Sequence, residues 1–411
     1  MTNNSNEVLI VGSGFAGLIT AITLKNSGIS SKIFESNINH INSGDRITLF
    51  TNCMKVLNLA GVANEVINKG FILEGIEFQD HYGKHMVNRS MGLKSEYGMP
   101  TVTIKRSKLN EILLNKAKEL GIEIFYDKKV IELEESENKV KIIFEDGTNY
   151  SGFLAIGCDG IYSTVRRSVL NKNLLPNYSG LIYFGGFIYN QKLIEKLKLK
   201  PKTVNVTVGP SHFFTYSYLN KPENKEEDAI HWNCFLRQPK RLRKDELDKL
   251  SEKDVIERVL EACNNWHEPV ADIITGTNEV WKSSISDIVE IEKWYNGRIL
   301  VIGDAAHAMN PLLGQGAGTA MEDGYAVAKL LKKYDCNYNL AFPVIEKLRK
   351  NRTTFIARKA RENSQRTTFK LNNLLIKLRN KAFSLITFLT PEKLLNKIQL
   401  YDIEKEVEKL L

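Results

Sequence analysis

The chain is poor in cysteine, and its cysteines form no pattern associated with disulfide frameworks or metal sites. Of its 411 residues, five are cysteines, and no two of them make a Cys-x-x-Cys pair. An odd number of scattered thiols argues against a disulfide-stabilised fold and against a zinc site, and it is typical of a reducing compartment. We therefore predict a cytoplasmic protein without metal-ligating residues. The cysteines are Cys53, Cys158, Cys234, Cys263 and Cys336.

Long apolar runs are also missing. A membrane-spanning helix needs about 20 consecutive apolar residues, and no window of this sequence supplies them. The first apolar run, Val8 to Val11, is too short for the core of a signal peptide, and no basic segment precedes it. There is no internal repeat and no low-complexity tract. The sequence thus predicts neither a transmembrane segment nor an export signal.

The net charge of +9 is not gathered into a basic patch. Lysines alternate with glutamates along the chain, and 26% of all residues are charged. Nucleic-acid-binding proteins usually concentrate their basic residues on one face or along one helix, so we expect no nucleic-acid partner. An anionic cofactor would account for part of the excess. A hydrophobic content of 43% is that of a globular domain with a substantial core.

The N-terminal segment has the arrangement of a dinucleotide-binding unit. A short apolar strand, residues 7–11, runs directly into Gly12-Ser13-Gly14-Phe15-Ala16-Gly17, and a helical pattern follows to Ser27. One glycine makes the tight turn, one lets the backbone approach a pyrophosphate, and one lets helix and strand pack closely. A second strand, residues 31–34, ends at Glu35, at the spacing expected of a partner for a ribose hydroxyl.

A second glycine-rich turn lies near residue 310. The apolar strand 298–302 ends at Gly303-Asp304, a Pro-Gly loop follows over residues 311–318, and a helical pattern continues from Thr319. Such a loop directs the free N–H groups and the positive dipole end of a helix toward a ligand. His307 lies within this motif, and we interpret it as structural because nothing nearby in the sequence would orient it as a base.

Three further charged residues have two interpretations each. Asp159 follows an apolar strand at Cys158-Asp159-Gly160, where it either faces a ligand at the sheet edge or caps the next helix. Arg46, in the loop before a helix, reaches either the cofactor or a surface ion-pair partner. Arg106, just before the helix of residues 107–120, either contacts the cofactor or is a helix-end charge satisfied by solvent.

The middle of the chain differs in character from its two flanks. Residues 176–280 contain strand-like runs with aromatic residues at alternate positions, which predicts a β-rich substrate-binding domain inserted between residues 1–175 and 281–345. Residues 346–411 form a basic helical segment, whose apolar stretch 383–389 we expect to dock onto the body of the protein rather than onto a partner or a membrane. The overall prediction is an α/β protein with a three-layer Rossmann-like domain. The candidate pocket residues are His212, Phe213, Phe214, Tyr216, Tyr218 and Trp232. Alternate side chains of a strand point to opposite faces, so about half of these candidates would face inward.

In order and spacing, the motifs Gly12 to Gly17, Cys158-Asp159-Gly160 and Gly303-Asp304 resemble those of the FAD-dependent aromatic hydroxylases. These are the single-component flavin monooxygenases typified by p-hydroxybenzoate hydroxylase. The resemblance covers approximately residues 5–360 and implies FAD as the bound cofactor. It implies that Glu35 holds the adenosine ribose, that Asp304 binds hydroxyls near the pyrophosphate, and that Arg46, Arg106 and Asp159 contact FAD. It also implies that a loop containing Pro311, Gly314, Gly316 and Ala317 covers the isoalloxazine ring.

The same resemblance implies an activity. NADPH or NADH would dock transiently, since there is only one dinucleotide fingerprint, and O2 would form a C4a-hydroperoxyflavin that hydroxylates or epoxidises a small aromatic or polyketide-like molecule. The cofactor carries this chemistry, so no catalytic side chain is singled out. Alternatives on a similar fold are an FAD-dependent reductase or dehydrogenase, a halogenase, and a flavin-binding scaffold without turnover. The halogenase is disfavoured because Trp232 lacks a second tryptophan two residues away.

Overall fold

The computed structural model describes residues 7–37, 46–91, 98–219, 229–368, 376, 378–380 and 397–411. Its strands are β1 (Val8–Val11), β2 (Ser31–Phe34), β3 (Arg46–Leu49), β4 (Phe71–Leu73), β5 (Gly75–Asp80), β6 (His85–Ser90), β7 (Thr101–Lys105), β8 (Glu123–Phe125), β9 (Val130–Glu135), β10 (Val140–Phe144), β11 (Asn149–Gly152), β12 (Leu154–Gly157), β13 (Asn177–Ile188), β14 (Thr203–Val208), β15 (Phe213–Tyr218), β16 (Ile230–Arg237), β17 (Glu279–Asp287), β18 (Tyr295–Asn296) and β19 (Ile299–Val301). Its helices are α1 (Phe15–Asn26), α2 (Thr51–Leu59), α3 (Ala63–Lys69), α4 (Arg106–Glu119), α5 (Thr164–Leu170), α6 (Gln191–Leu197), α7 (Lys244–Asp248), α8 (Glu252–Ala262), α9 (Val270–Thr275), α10 (Asp304–His307), α11 (Gly316–Lys333), α12 (Tyr338–Thr368) and α13 (Ile403–Glu408), with a 3-10 turn at Pro311–Leu313.

The nucleotide-binding half is built on a largely parallel sheet in the order β18-β19-β12-β1-β2-β8. Strands β1, β12 and β19 are fully buried, because helices cover both faces of such a sheet and leave no position for polar side chains. Helix α1 packs between this sheet and α11, which explains why ten of its twelve residues are buried. The β-meander β9-β10-β11 forms a separate three-stranded sheet and precedes β12 in the chain. This arrangement confirms the predicted α/β fold.

A second, larger sheet has the order β17-β13-β16-β15-β14-β5-β6. Most of it comes from the β-rich middle of the chain, but the hairpin β5-β6 pairs through β5 with β14 in parallel. Residues 75–90 therefore join this sheet although they precede the stretch assigned to the inserted domain. The domain boundaries themselves stay a prediction.

The two faces of this seven-stranded sheet pack against different partners. One face, with Phe214, Trp232 and Cys234, packs against α8 and α9 in an apolar core. On the other face, Phe213 and Phe235 pack with Leu312 of the Pro311–Leu313 turn. The sheet thus places one face against the glycine-rich loop of the nucleotide-binding half.

The C-terminal part is helical where the structure describes it. Helix α12 begins at Tyr338 and packs along α11, and α13 also packs against α11. Among the described residues, no helix is both long and apolar enough to cross a membrane. The apolar stretch 383–389 lies outside the described residues.

Candidate functional site

The glycines of the first motif have three separate tasks. Gly12 has φ +103°, and a β-carbon there would lie 2.5 Å from the carbonyl oxygen of Cys158. A β-carbon at Gly17 would lie 2.0 Å from the carbonyl oxygen of Gly12, so this glycine lets α1 pack against the turn. A β-carbon at Gly14 would meet nothing within 4 Å. Gly14 is therefore the position where the backbone borders open space that a ligand can approach.

Glu35 ties the end of β2 to this turn. The backbone N–H and the hydroxyl of Ser13 both donate hydrogen bonds of 2.8 Å to Glu35 Oε2, and the N–H of Asn37 donates to Oε1 at 2.9 Å. The side chain is buried. Besides any ligand role, Glu35 thus fixes the position of Ser13 within the glycine loop.

Asp304 is an exposed carboxylate in an otherwise buried run. The residues on either side of it, from Val301 to Gly303 and from Ala305 to Asn310, are buried, whereas Asp304 is exposed at the start of α10. Gly303 before it has φ +58°, and a β-carbon there would lie 3.0 Å from the Ala16 β-carbon. Asp304 forms no hydrogen bond or ion pair with any residue in the described ranges. A charged group held at a strand end without a protein partner is suited to bind a ligand.

The following loop ends in an open helix N-terminus. Asn310 accepts a hydrogen bond from the N–H of Leu312 at 3.2 Å and begins the short 3-10 turn, and Gly314 ends it at φ +61°. Pro311 and Gly314 are exposed, Gly316 and Ala317 are partly exposed, and no described side chain caps α11. The first N–H groups of α11 and its positive dipole end are thus available to an anionic group.

A buried ionic network lies beneath this loop. Asp323 of α11 accepts hydrogen bonds from the Gly303 N–H at 3.0 Å and from Arg349 Nε at 2.7 Å, and it lies 2.6 Å from His307 Nε2. His307 is also packed against Trp294. Contrary to the expectation from the sequence, His307 is oriented by another side chain, since Asp323 holds it from the next helix. The role of the pair is still structural, because it fixes the turn before Asp304.

Glu322 connects the same network to the C-terminal segment. It accepts hydrogen bonds from Arg349 at 2.6 Å, from Arg352 at 2.8 and 2.9 Å, and from the Asn52 side chain at 2.6 Å. The Arg352 guanidinium lies 3.8 Å from the ring centroid of Tyr401. Sequence reasoning did not identify these residues as part of the site. The adjacent acidic residues Glu322 and Asp323, within a helix whose other residues are mostly apolar, could have indicated this network in the sequence.

The network determines the ionisation of both carboxylates. Burial alone would raise the pKa of Asp323, but His307 and Arg349 together hold that pKa below its ordinary value. Burial likewise opposes ionisation of Glu322, and Arg352 and Arg349 hold its pKa low. Both carboxylates are therefore charged at neutral pH and require their cationic partners.

Asp159 caps a helix. Its carboxylate accepts hydrogen bonds from the Ser163 hydroxyl at 2.5 Å and from the N–H groups of Thr164 and Val165 at 2.7 and 3.1 Å. Burial raises the pKa of Asp159, and these hydrogen bonds oppose the shift. The capping interpretation thus describes its contacts within the protein. Its backbone still lies against the glycine loop, with the Asp159 α-carbon 3.2 Å from the β-carbon position of Gly12.

The two arginines are in different surroundings. Arg106, exposed at the start of α4, places its guanidinium 5.0 Å from the ring centroid of Phe15 in the glycine loop. Arg46 is half-buried and donates a hydrogen bond of 2.7 Å from Nε to His231 Nδ1 on the seven-stranded sheet. Arg106 is therefore beside the dinucleotide turn, whereas Arg46 connects the β3-β7-β4 sheet to the sheet opposite the loop.

The candidate pocket residues lie on both faces of the seven-stranded sheet. Phe213 lies on the face that packs with Leu312, but Phe214, Tyr216 and Trp232 belong to the core under α8 and α9. This agrees with the expectation that only about half of the candidates face inward, and it shows which ones do not, because aromatic character does not reveal which face of a strand a residue occupies. The alternate positions Tyr183 and Phe235 pack toward the loop instead.

These features fit FAD. An anionic pyrophosphate suits the open turn at Gly14, where no described side chain caps α1 and its first N–H groups are available. The exposed Asp304 carboxylate is an acceptor for hydroxyl groups, and the start of α11 offers positive potential beside the apolar sheet face of Phe213 and Phe235. The individual contacts of the predicted residues with FAD stay predictions.

Comparison with known proteins agrees with this geometry. Residues 5–334 match the family described as FAD binding domain. The chain is 27% identical over 327 residues to the aurachin C monooxygenase/isomerase of Stigmatella aurantiaca, covering 79% of this chain and 80% of that protein. It is 26% identical over 367 residues to the 6-hydroxynicotinate 3-monooxygenase of Pseudomonas fluorescens, covering 88% and 92%. It is also 29% identical over 348 residues to the chloroplastic zeaxanthin epoxidase of an Oncidium hybrid, covering 80% of this chain but only 49% of that protein.

Solved structures share the fold at low sequence identity. Klebsiella pneumoniae HpxO, crystallised with FAD and uric acid, has a TM-score of 0.79 at 20% identity, covering 98% of this chain and 95% of that one. The family match confirms the predicted cofactor, FAD, and the curated relatives confirm the predicted class of enzyme, the flavin-dependent monooxygenases. With a match across four-fifths of its length, this chain belongs to the FAD binding domain family.

Proposed function

We propose that this protein uses NAD(P)H and O2 to insert one oxygen atom into a small aromatic or similarly electron-rich molecule, by hydroxylation or epoxidation. The observation that carries the proposal is the placement of the Pro311–Leu313 turn directly against the apolar sheet face of Phe213 and Phe235. A flavin ring held by this loop would face that sheet. Relatives named as monooxygenases of hydroxynicotinate and aminohydroxybenzoate support an aromatic substrate.

FAD supplies the electron transfer and the activation of O2 when it is bound; the protein supplies orientation, electrostatics and exclusion of water. The glycine loop and Glu35 hold the nucleotide end, and Asp304 holds hydroxyls between the two ends. The start of α11 stabilises negative charge that develops on the flavin side of the pocket. Apolar residues such as Phe213 and Phe235 keep water from the reacting atoms.

The substrate side of the pocket also offers a polar group. Tyr183 lies on the same sheet face as Phe235, and its ring centroid is 5.1 Å from that of Phe235. Its buried hydroxyl has no hydrogen-bond partner among the described residues. A buried hydroxyl without a partner costs free energy, so a substrate oxygen or nitrogen would be a suitable partner. We therefore assign Tyr183 to substrate orientation.

The test is a measurement of turnover with an isotope label. Purified FAD-loaded protein is mixed with NADPH or NADH, labelled O2 and a panel of phenols, hydroxypyridines and polyketide-like compounds. Substrate-stimulated NAD(P)H oxidation with one labelled oxygen atom in the product supports the proposal. Stimulated reduction of the substrate without label would show a reductase. A yellow protein whose NAD(P)H oxidation no compound accelerates would show a scaffold without turnover.

A further inference from the structure

Three potential metal ligands lie together on the face of the seven-stranded sheet that points away from the FAD-binding half. His212 precedes β15, Cys234 lies within β16, and Cys263 follows α8. All three are buried, and their ligand atoms lie within 4.8 Å of one another. The sequence spacing concealed this cluster, because three separate elements supply one ligand each. Our prediction from the sequence, which found no metal-ligating residues, did not consider it.

The histidine of this cluster is oriented toward a thiol. Its ring stacks on Trp266 with centroids 4.8 Å apart and planes at 13°, and its Nδ1 lies 3.4 Å from the Ser211 hydroxyl. The other nitrogen, Nε2, lies 3.9 Å from Cys263 Sγ. Metal-binding histidines are usually held in this manner, with one nitrogen engaged by a neighbouring polar group and the other directed at the ion.

The two thiols are not equivalent. A hydrogen bond with Cys234 lowers the pKa of the Cys263 thiol, with a further contribution from His212, although burial opposes the shift. Burial raises the pKa of Cys234. Zinc binds thiolates, so both thiols would lose their protons when the ion is bound.

We propose that His212, Cys234 and Cys263 bind one Zn²⁺ ion. Tetrahedral zinc with Zn–S of about 2.3 Å and Zn–N of about 2.0 Å requires ligand atoms roughly 3.5–3.8 Å apart, so small side-chain rotations close this cluster onto the ion. Binding releases two thiol protons and forms two Zn–S bonds and one Zn–N bond. Two thiolates neutralise the charge of the ion, which makes its burial favourable, and a water molecule completes the fourth position.

Such an ion would stabilise the part of the molecule opposite the FAD site. It would connect the end of α8 to β16 and to the segment before β15, which are distant in sequence. The proposal does not depend on the proposed function, since the cluster lies on the helix-covered face, with Phe214 and Trp232. We therefore expect zinc to affect thermal stability without changing the flavin spectrum.

The experiment uses the full-length FAD-loaded protein with its thiols kept reduced. The protein is stripped with a chelator, dialysed and titrated with Zn²⁺ in competition with a chromophoric chelator, and bound zinc is measured by elemental mass spectrometry. The variants are Cys234→Ser and Cys263→Ser, with Cys336→Ser as the matched control, because Cys336 is a buried thiol outside the cluster. Replacement by Co²⁺ adds a readout, since cobalt in a tetrahedral site has absorption bands at longer wavelength than the flavin.

We expect about one zinc per chain in the wild type and in Cys336→Ser, loss of zinc in both cluster variants, and a melting temperature that rises with zinc concentration. A wild type that takes up no zinc would overturn the proposal. So would a Cys234→Ser or Cys263→Ser variant that binds zinc as tightly as the wild type. If the variants fail to fold, the zinc titration and the cobalt spectrum of the wild type still decide the question.

Discussion

Replacement of Arg349 by Met tests whether the buried network holds the flavin loop. Arg349 is fully buried and donates hydrogen bonds to Glu322 at 2.6 Å and to Asp323 at 2.7 Å. Removing one member of a buried ion pair typically costs about 3–5 kcal/mol. Here Glu322 retains Arg352 and Asp323 retains His307, so we expect a value near 3 kcal/mol. At roughly 2 °C per kcal/mol for a large domain, the melting temperature should fall by about 6 °C.

The Arg349→Met substitution should also weaken the binding of FAD. Asp323 binds the N–H of Gly303, which fixes the turn before Asp304, so the variant should bind FAD more weakly. Differential scanning calorimetry and titration of the apoprotein with FAD measure the two effects. The control is Lys347→Met, an exposed position on the same helix, where we expect a change within about 0.5 kcal/mol. A melting temperature equal to that of Lys347→Met would refute the reasoning.

The pH dependence of this effect has a defined sign. The pKa values of Glu322 and Asp323 are lowered in the folded protein, so their contribution to the free energy of unfolding is complete above their unfolded values and is lost as the pH falls through the folded ones. The difference in melting temperature between the wild type and Arg349→Met should therefore be full at neutral pH and shrink below about pH 4. A difference that is constant down to the lowest measurable pH would contradict an ionic origin.

Four other substitutions distinguish binding from folding. Gly14→Ala should fold like the wild type, because the added β-carbon meets no protein atom within 4 Å. The same β-carbon occupies the space that FAD would approach, so FAD should bind at least about tenfold more weakly, a loss of about 1.4 kcal/mol. Gly17→Ala should lower the melting temperature of the apoprotein, because its β-carbon would lie 2.0 Å from the Gly12 oxygen. Asp304→Ala should lose FAD with little change in apoprotein stability, since no described residue pairs with this carboxylate, and full flavin occupancy after gel filtration would contradict its assignment. Tyr183→Phe should raise KM for the substrate by about tenfold while leaving FAD affinity unchanged, and an unchanged KM would remove Tyr183 from the pocket.

The parts of the site that the sequence predicted are those determined by local geometry. The turn from Gly12 to Gly17 and the Gly303-Asp304 corner each lie within one strand–turn–helix unit, so their spacing alone specifies the backbone. Arg349 was not predicted, because α12 contains many basic residues and only packing shows which of them is buried. The face occupied by Trp232 was not predicted for a similar reason, since a strand pattern identifies two faces but not which one meets the cofactor domain.

The proposed substrate pocket and the proposed zinc site lie on opposite faces of one strand, β16. Asn233 and Cys234 are adjacent in β16, and alternation along the strand sends their side chains to opposite faces of the sheet. Asn233 accepts a hydrogen bond from Thr215 at 2.8 Å on the side of Phe235, whereas Cys234 is in the core with Phe214. Substitutions without shared partners usually have additive effects. Changes on the Asn233 side should therefore alter turnover and leave zinc uptake intact, and changes at Cys234 should do the reverse. Coupling between the two would mean that the sheet transmits strain across its thickness.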